Sequence, residues 1–429
     1  MMCCLVLMGN VLVAQEPVLD LSAAEIRQLM QFKRVPLPAD PGNRWADNAA
    51  AAALGQKLFF STRFSANGEI GCVTCHQPAL GFADGRERAV GLAEGERHTP
   101  SLWDTAFNRW FFWDGRADSL WSQALQPFEN PREMGLNRNR VVLLLHQSDP
   151  LRHAYEAIFG ALPDLSDVRR FPRDAMPMPN QAGHPWAAAW GGMSESDRDL
   201  INGIFANIGK AIAAYERTLI APTNGFDRFL TALATDPAHA TTQMPPAAVR
   251  GARLFVGKGR CNLCHVGSQF SDGTFHQTGV PARDGSFPRD AGRYAGVSLL
   301  LADPFNSAGR YSDDRQGERA QSLAFLQRRA DSWGQFKTPN LRQSAQHPPY
   351  MHGGQLPDLA AVVRFYNTLE GRVNNGHHVD PLLVPLGLTP AEEADLVAFL
   401  ASLSVPPPRD NPWFRPPSPE PSRKETREK

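Results

Sequence analysis

Two five-residue motifs constrain this chain more than anything else in it: Cys72-Val73-Thr74-Cys75-His76 and Cys261-Asn262-Leu263-Cys264-His265. Covalent attachment of a porphyrin needs two thiols placed to add across its two vinyl groups. It also needs an imidazole directly behind them to ligate the iron. C-x-x-C-H supplies all three on one turn of chain. A thioredoxin-like redox pair would not require the histidine and would want a βαβ context, which is absent. A Cys4 zinc site normally draws its halves from a short segment, whereas these pairs stand far apart. The motifs therefore predict two haem c groups. One is attached through Cys72 and Cys75 with His76 as iron ligand; the other through Cys261 and Cys264 with His265.

The chain repeats itself around these motifs. Gly55-Gln56-Lys57-Leu58-Phe59 precedes the first and Gly251-Ala252-Arg253-Leu254-Phe255 the second. Each belongs to an amphipathic stretch that predicts a helix leading into the motif. A closing helix follows in each copy. The first lies around 196–219, with Ile204, Ile208, Ile212 and Tyr215 on one stripe. The second spans 390–403, with Thr389 as N-cap and Glu392 three residues on. Glycine and proline are abundant, 35 and 36 in the whole chain, and alternating strand patterns between these helices are scarce. At 429 residues the chain is comfortable for two domains. The expected fold is mostly α and loop-rich: two tandem cytochrome c-like domains, 40–235 and 246–404, each with one covalently bound haem c. Residues 163–192 read as an insertion covering one face and 235–246 as the linker. The Pro-rich, then charged, end at 405–429 reads as a disordered tail.

Residues 1–14 form a short apolar run closing on small residues, which reads as a signal peptide removed after Ala14. Cys3 and Cys4 fall inside it. The run is too short to span a bilayer, so no transmembrane anchor is expected and the chain is read as secreted to the periplasm. Lysine plus arginine balance aspartate plus glutamate at 44 each. That balance argues against nucleic acid or an anionic membrane as the main partner.

Further motifs follow in a fixed order: Trp113-Asp114-Gly115-Arg116-Ala117, N-P-R-E-M ending at Met134, the A-Y-E-R-T-L helix, F-K-T-P-N-L-R and P-Y-M-H-G-G. With the two attachment sites, this series resembles the bacterial di-haem cytochrome c peroxidase and MauG family over roughly residues 54–403. The resemblance implies that Trp113 stands between the haems. It also implies that Gln123 and Glu133, ten and twenty residues on, line the distal pocket of the first haem. The chemistry agrees, because splitting a bound peroxide needs a proton moved between its oxygens, which a carboxylate can carry while an amide holds the peroxide. Reductively activated members carry a capping histidine after the first motif. Here the interval to Trp113 holds only His98, in Arg97-His98-Thr99-Pro100, which matches a different motif. The resemblance therefore implies a first haem that is five-coordinate at rest.

The distal ligand of the second haem lies, in the family, fourteen residues after the histidine of P-Y-x-H. Counting from His352 gives Tyr366, with Met351 as the rival ligand. Two positions depart from the family. Its interdomain calcium site uses an asparagine and a threonine where this chain has His98 and His347. Imidazole suits calcium poorly, so calcium is doubtful and either a softer metal or a His98–His347 contact is expected. Gly259 stands where MauG has a surface tryptophan that passes oxidising equivalents to its protein substrate.

Three functions compete on this reading. One is a di-haem peroxidase reducing hydrogen peroxide with electrons from a small cytochrome c or cupredoxin. Another is a MauG-like enzyme that oxidises a partner protein. The third is an electron carrier without peroxide chemistry. Gln123 and Glu133 above an open haem disfavour the carrier.

Overall fold

A computed structural model describes residues 21–373, 380–408 and 410–417. The signal-like run 1–14, with Cys3 and Cys4, lies outside the described residues. So does the part of the tail from 418 onward.

The chain is mostly helical. Its helices of eight or more residues are α1 (Ala23–Met30), α2 (Ala49–Phe60), α3 (Arg138–His146), α4 (Asp149–Phe159), α5 (Pro185–Gly192), α6 (Glu195–Glu216), α7 (Gly225–Thr235), α8 (Pro246–Val256), α9 (Arg293–Ala302), α10 (Leu359–Thr368) and α11 (Pro390–Ser402). Among the described residues the only named strands are β1 (Phe275–His276) and β2 (Phe336–Lys337), an antiparallel pair with Phe275 opposite Lys337.

Local chemistry explains the helix starts. The side chains of Asn48 and Ser194 accept from Ala51 N and Asp197 N, satisfying amides that open α2 and α6. Thr389 and Glu392 form the expected capping box on α11. The stripe Ile204, Ile208, Ile212 and Tyr215 on α6 is fully inside.

The repeat in sequence is a repeat in packing. α2 crosses α6, and α8 crosses α11, at the first glycine of each G-x-x-L-F segment. At both crossings only hydrogen fits between the two backbones. Around α2 and α6 a large core gathers Leu54, Leu58, Trp121, Phe128, Ile204 and Phe205, with Leu165 and Phe171 from the expected insertion. A second core gathers Phe226, Phe229, Phe255, Phe270 and Phe399. A small aromatic cluster holds Phe59, Phe82, Trp103 and Tyr215.

Two expectations need correction. Residues 405–408 and 410–417, expected to be disordered, are built into the fold: Trp413 and Phe414 pack into the small aromatic cluster. Proline-rich composition lowers the average hydropathy of this segment, but two adjacent aromatics bury enough surface to order it. The boundary at 235 also falls too late, because α7 contributes Phe226, Phe229, Leu230 and Leu233 to the second core. The linker 235–246 carries a short helix, Pro237–Ala240, and buries Ala240 and Met244.

Candidate haem-binding site

Each C-x-x-C-H segment makes one tight turn beyond its leading helix, and each histidine amide closes that turn on its first cysteine: His76 N to Cys72 O and His265 N to Cys261 O, both 2.9 Å. The imidazoles are then held alike. His76 Nδ1 lies 2.9 Å from Phe82 O and His265 Nδ1 lies 2.7 Å from Phe270 O. A carbonyl can only accept, so Nδ1 carries the hydrogen and Nε2 keeps its lone pair for a metal. Burial lowers the pKa of both rings, favouring the neutral form that ligates.

The four thiols are free, and burial pushes Cys75 and Cys261 up to about 12. Among the described residues the one cluster of three metal-ligating side chains is Cys264, Asp272 and His276. His276 has no lone pair to offer it. Its Nε2 is 2.7 Å from Asp272 Oδ2 and its Nδ1 faces Asp380 Oδ2 at 2.5 Å, and Asp272, then Cys264 and Asp380, raise it to about 11.

Both motifs open into one cavity of about 880 Å³. Its wall carries Cys75, His76, Cys261, Cys264 and His265, and with them Trp113, Gln123, Glu133, His98, His347, Met351 and Tyr366. Cys72, the remaining site residue, packs behind against Phe59 and Phe82 in the small aromatic cluster.

Trp113 ties the two halves of the cavity together. Its indole N–H donates to His98 O at 2.9 Å, and its own carbonyl accepts from Lys337 N at 2.8 Å. The next residues lock the seam. Asp114 binds Arg97 at 2.6 Å, Arg97 also grips Asp290 with two hydrogen bonds, and Arg293 donates to Gly115 O at 2.7 Å. Gly115 sits at φ +66°, with the Phe275 ring and Arg293 filling the space a side chain would need.

Glu133 lies near the first motif. Burial raises its carboxyl pKa, while the Arg116 guanidinium and a hydrogen bond from Asn130 oppose the shift. Asn130 Nδ2 donates to Oε1 at 2.6 Å, which leaves Oε2 without a partner among the described residues. Arg116 is itself immobilised: Nε on Gln126 Oε1, Nη1 on Asp114, and its plane 3.4 Å over Phe112. Gln123, at the end of a short helix capped by Ser119, is half-buried on the same wall.

At the second motif, burial pushes the Tyr366 hydroxyl far above its ordinary range, and the thiols of Cys264 and Cys261 add to the shift. Tyr366 is thus close to both attachment thiols. Met351, on the same cavity wall, adopts φ +71° beside His352, whose ring stacks on Phe336 at 3.6 Å.

His98 and His347 lie close enough for His98 to help burial lower His347 to about 4. They do not hydrogen-bond each other through their rings among the described residues. His98 Nδ1 is 2.7 Å from Arg86 O, and its buried Nε2 has no partner. The donor set fits two covalently bound haems: paired thiols, an imidazole held by Nδ1 behind each pair, one shared cavity and a spare buried nitrogen on its wall.

Sequence reasoning overlooked the groups that hold the site residues in place. Arg116 and Asn130 stand inside motifs quoted above, so their signal was available. The Phe82 and Phe270 carbonyls were not findable by spacing, since they follow their histidines by six and five residues.

Fold and site together define a helical protein with two C-x-x-C-H segments facing one cavity. The chain belongs to the di-haem cytochrome c peroxidase family, which includes MauG. The family model described as "Di-haem cytochrome c peroxidase" matches residues 49–235. The methylamine utilization protein MauG of Methylorubrum extorquens is 32% identical over 360 residues, covering 83% of this chain and 78% of the relative. Cytochrome-c peroxidase IdrP2 of Denitromonas iodatirespirans is 30% identical, covering 84% and 83%. The diheme peroxidase BthA of Burkholderia thailandensis shares the fold, with a TM-score of 0.61 at 22% identity over 85% of this chain and 89% of that one. Among the described residues no helix is long and apolar enough to cross a membrane.

Proposed function

We propose that this chain is an exported, periplasmic enzyme with two tandem haem c domains that reacts with hydrogen peroxide at the first haem. Cys261, Cys264 and His265 would hold a second haem, which would supply a relay for electrons from a small cytochrome c or cupredoxin. The reading rests on one observation above all: Glu133 stands on the cavity wall by the first motif with Oε1 engaged and Oε2 free.

Cys72, Cys75 and His76 would hold a haem here, which would supply the iron for reducing peroxide. The protein supplies position and protons. Gln123 offers its amide to hold the peroxide oxygens. Glu133 Oε2 takes a proton from one oxygen and returns it to the other, a transfer favoured by a carboxyl pKa that burial raises above its ordinary value. Arg116 limits that rise, so the carboxylate form stays accessible. Trp113, pinned at both its indole and its carbonyl, keeps a fixed aromatic path between the two attachment sites. His98 falls in Arg97-His98-Thr99-Pro100 rather than on the loop that caps the iron in reductively activated relatives, so a haem held by the first motif would rest with one iron face open. His98 and His347 serve as an interdomain contact in place of calcium.

A second reading has a specific observation behind it. Tyr366 lies by the thiols of the second motif, and as a tyrosinate ligand to a haem held there it would stabilise ferric iron and lower its potential. That favours a MauG-like enzyme which spends peroxide equivalents on a partner protein. Gly259, which carries no side chain, argues against the exit route such an enzyme would use.

Glu133→Gln tests the proposal. Expected is a peroxide reaction slowed by two or more orders of magnitude, with both haems still attached. An unchanged rate removes Glu133 from the mechanism.

A further inference from the structure

The two carbonyls that hold the histidines belong to residues with the same unusual properties. Phe82 and Phe270 both sit in the left-handed region, at φ +59° and +52°, which a residue with a Cβ adopts only when its surroundings hold it there. Both rings are completely buried. What buries them comes from opposite ends of the chain.

Phe82 is wedged edge-on between Trp103, at 5.1 Å, and Phe414 of the C-terminal segment, at 5.5 Å; Trp103 and Phe414 close the triangle at 5.1 Å. Phe414 is held there by its neighbours: Gln56 Nε2 donates to Pro412 O and Arg415 O, and Tyr215 Oη donates to Trp413 O at 2.7 Å. Phe270 stacks on Phe32 of the N-terminal arm, at 4.6 Å and 20°, with Phe226 and Phe255 around them. Phe32 is fixed in turn, since Arg342 donates to its carbonyl and Arg253 binds Glu25 on α1. The terminal arms therefore cross. The N-terminal arm braces the second histidine and the C-terminal arm braces the first.

We propose that Phe414 and Phe32 are positioning residues, each setting the iron–histidine bond of one haem through the phenylalanine whose carbonyl binds that histidine. The inference rests on the haem reading above. Removing the ring of Phe414 frees Phe82 to leave its left-handed conformation, which carries the carbonyl away from His76 Nδ1. An imidazole with a weaker Nδ1–H hydrogen bond is a poorer donor to iron, so the oxidised state is less stabilised and the reduction potential rises. Phe32 acts on His265 through Phe270 in the same way.

The test is a spectroelectrochemical titration resolving the two haems in the full-length holoprotein. Phe414→Ala should raise the potential of the His76-ligated haem and leave the other in place; Phe32→Ala should do the reverse. Phe414→Leu and Phe32→Leu, which keep most of the volume, should return each potential most of the way. If an alanine variant fails to retain haem, the leucine variant decides by its smaller shift at one haem alone. Equal movement of both haems in any variant, or no movement where the melting temperature has fallen, overturns the proposal. Wild-type protein that carries no covalent haem would instead overturn the reading of the site, and shows itself before any variant is made.

Discussion

Gly55 and Ala211 meet backbone to backbone: a Cβ on Gly55 would stand 2.0 Å from the Ala211 carbonyl oxygen. Gly251 repeats the relationship with Asp395, also at 2.0 Å. Neither carbonyl can yield without breaking a helix. Gly55→Ala and Gly251→Ala should each destabilise by about 1–3 kcal/mol or more through overpacking. Gly203, inside α6 with nothing within 4 Å, is the control. Gly203→Ala should gain about 0.5–1 kcal/mol from helix propensity alone. Thermal melts of the three variants check the set.

Glu216 should make stability fall as pH rises. Burial alone pushes its carboxyl from 4.5 to about 8, and Oε2 has no partner. The folded chain keeps a proton that the unfolded chain releases, so its contribution is intact below pH 4.5 and is lost as pH climbs through 8. Glu216→Gln should flatten this slope, by at most on the order of 5 kcal/mol. Denaturant midpoints measured at about pH 5 and about pH 8.5 test it; identical slopes in both proteins would contradict it.

Arg116 should control the pH at which Glu133 works. Among the described residues its guanidinium is the one charge that acts on the carboxyl, beside the Asn130 amide. Removing it disfavours the carboxylate, so Arg116→Gln should move the acid limb of the kcat/KM profile for peroxide to higher pH. Arg116→Lys should leave the limb nearer its original place. A profile that drops without shifting would assign Arg116 a packing role alone.

The second iron's distal ligand can be identified by colour. Tyr366→Phe should abolish a phenolate-to-iron charge-transfer band and raise the potential of that haem, with Met351→Leu spectrally silent. The opposite outcome makes Met351 the ligand.

What the sequence determined by itself was the covalent and local part of the protein. Two thiols and an imidazole must be contiguous to capture one porphyrin, so the sequence alone proposes Cys72, Cys75, His76, Cys261, Cys264 and His265 for that role, and the capping of α11 by Thr389 and Glu392 was equally local. The G-x-x-L-F repeat was visible too, though not its reason, which is the closeness of a second helix 150 residues away. Tertiary structure decided what holds those residues to their task. It brought Arg116 near Glu133, set Trp113 on His98 and Lys337, and laid Phe414 on Phe82 and Phe32 on Phe270. Composition read the C-terminal segment as disordered because it averages over prolines and charges. The folded chain orders it because a buried aromatic is stabilised by the particular rings it meets, and those rings come from far along the chain.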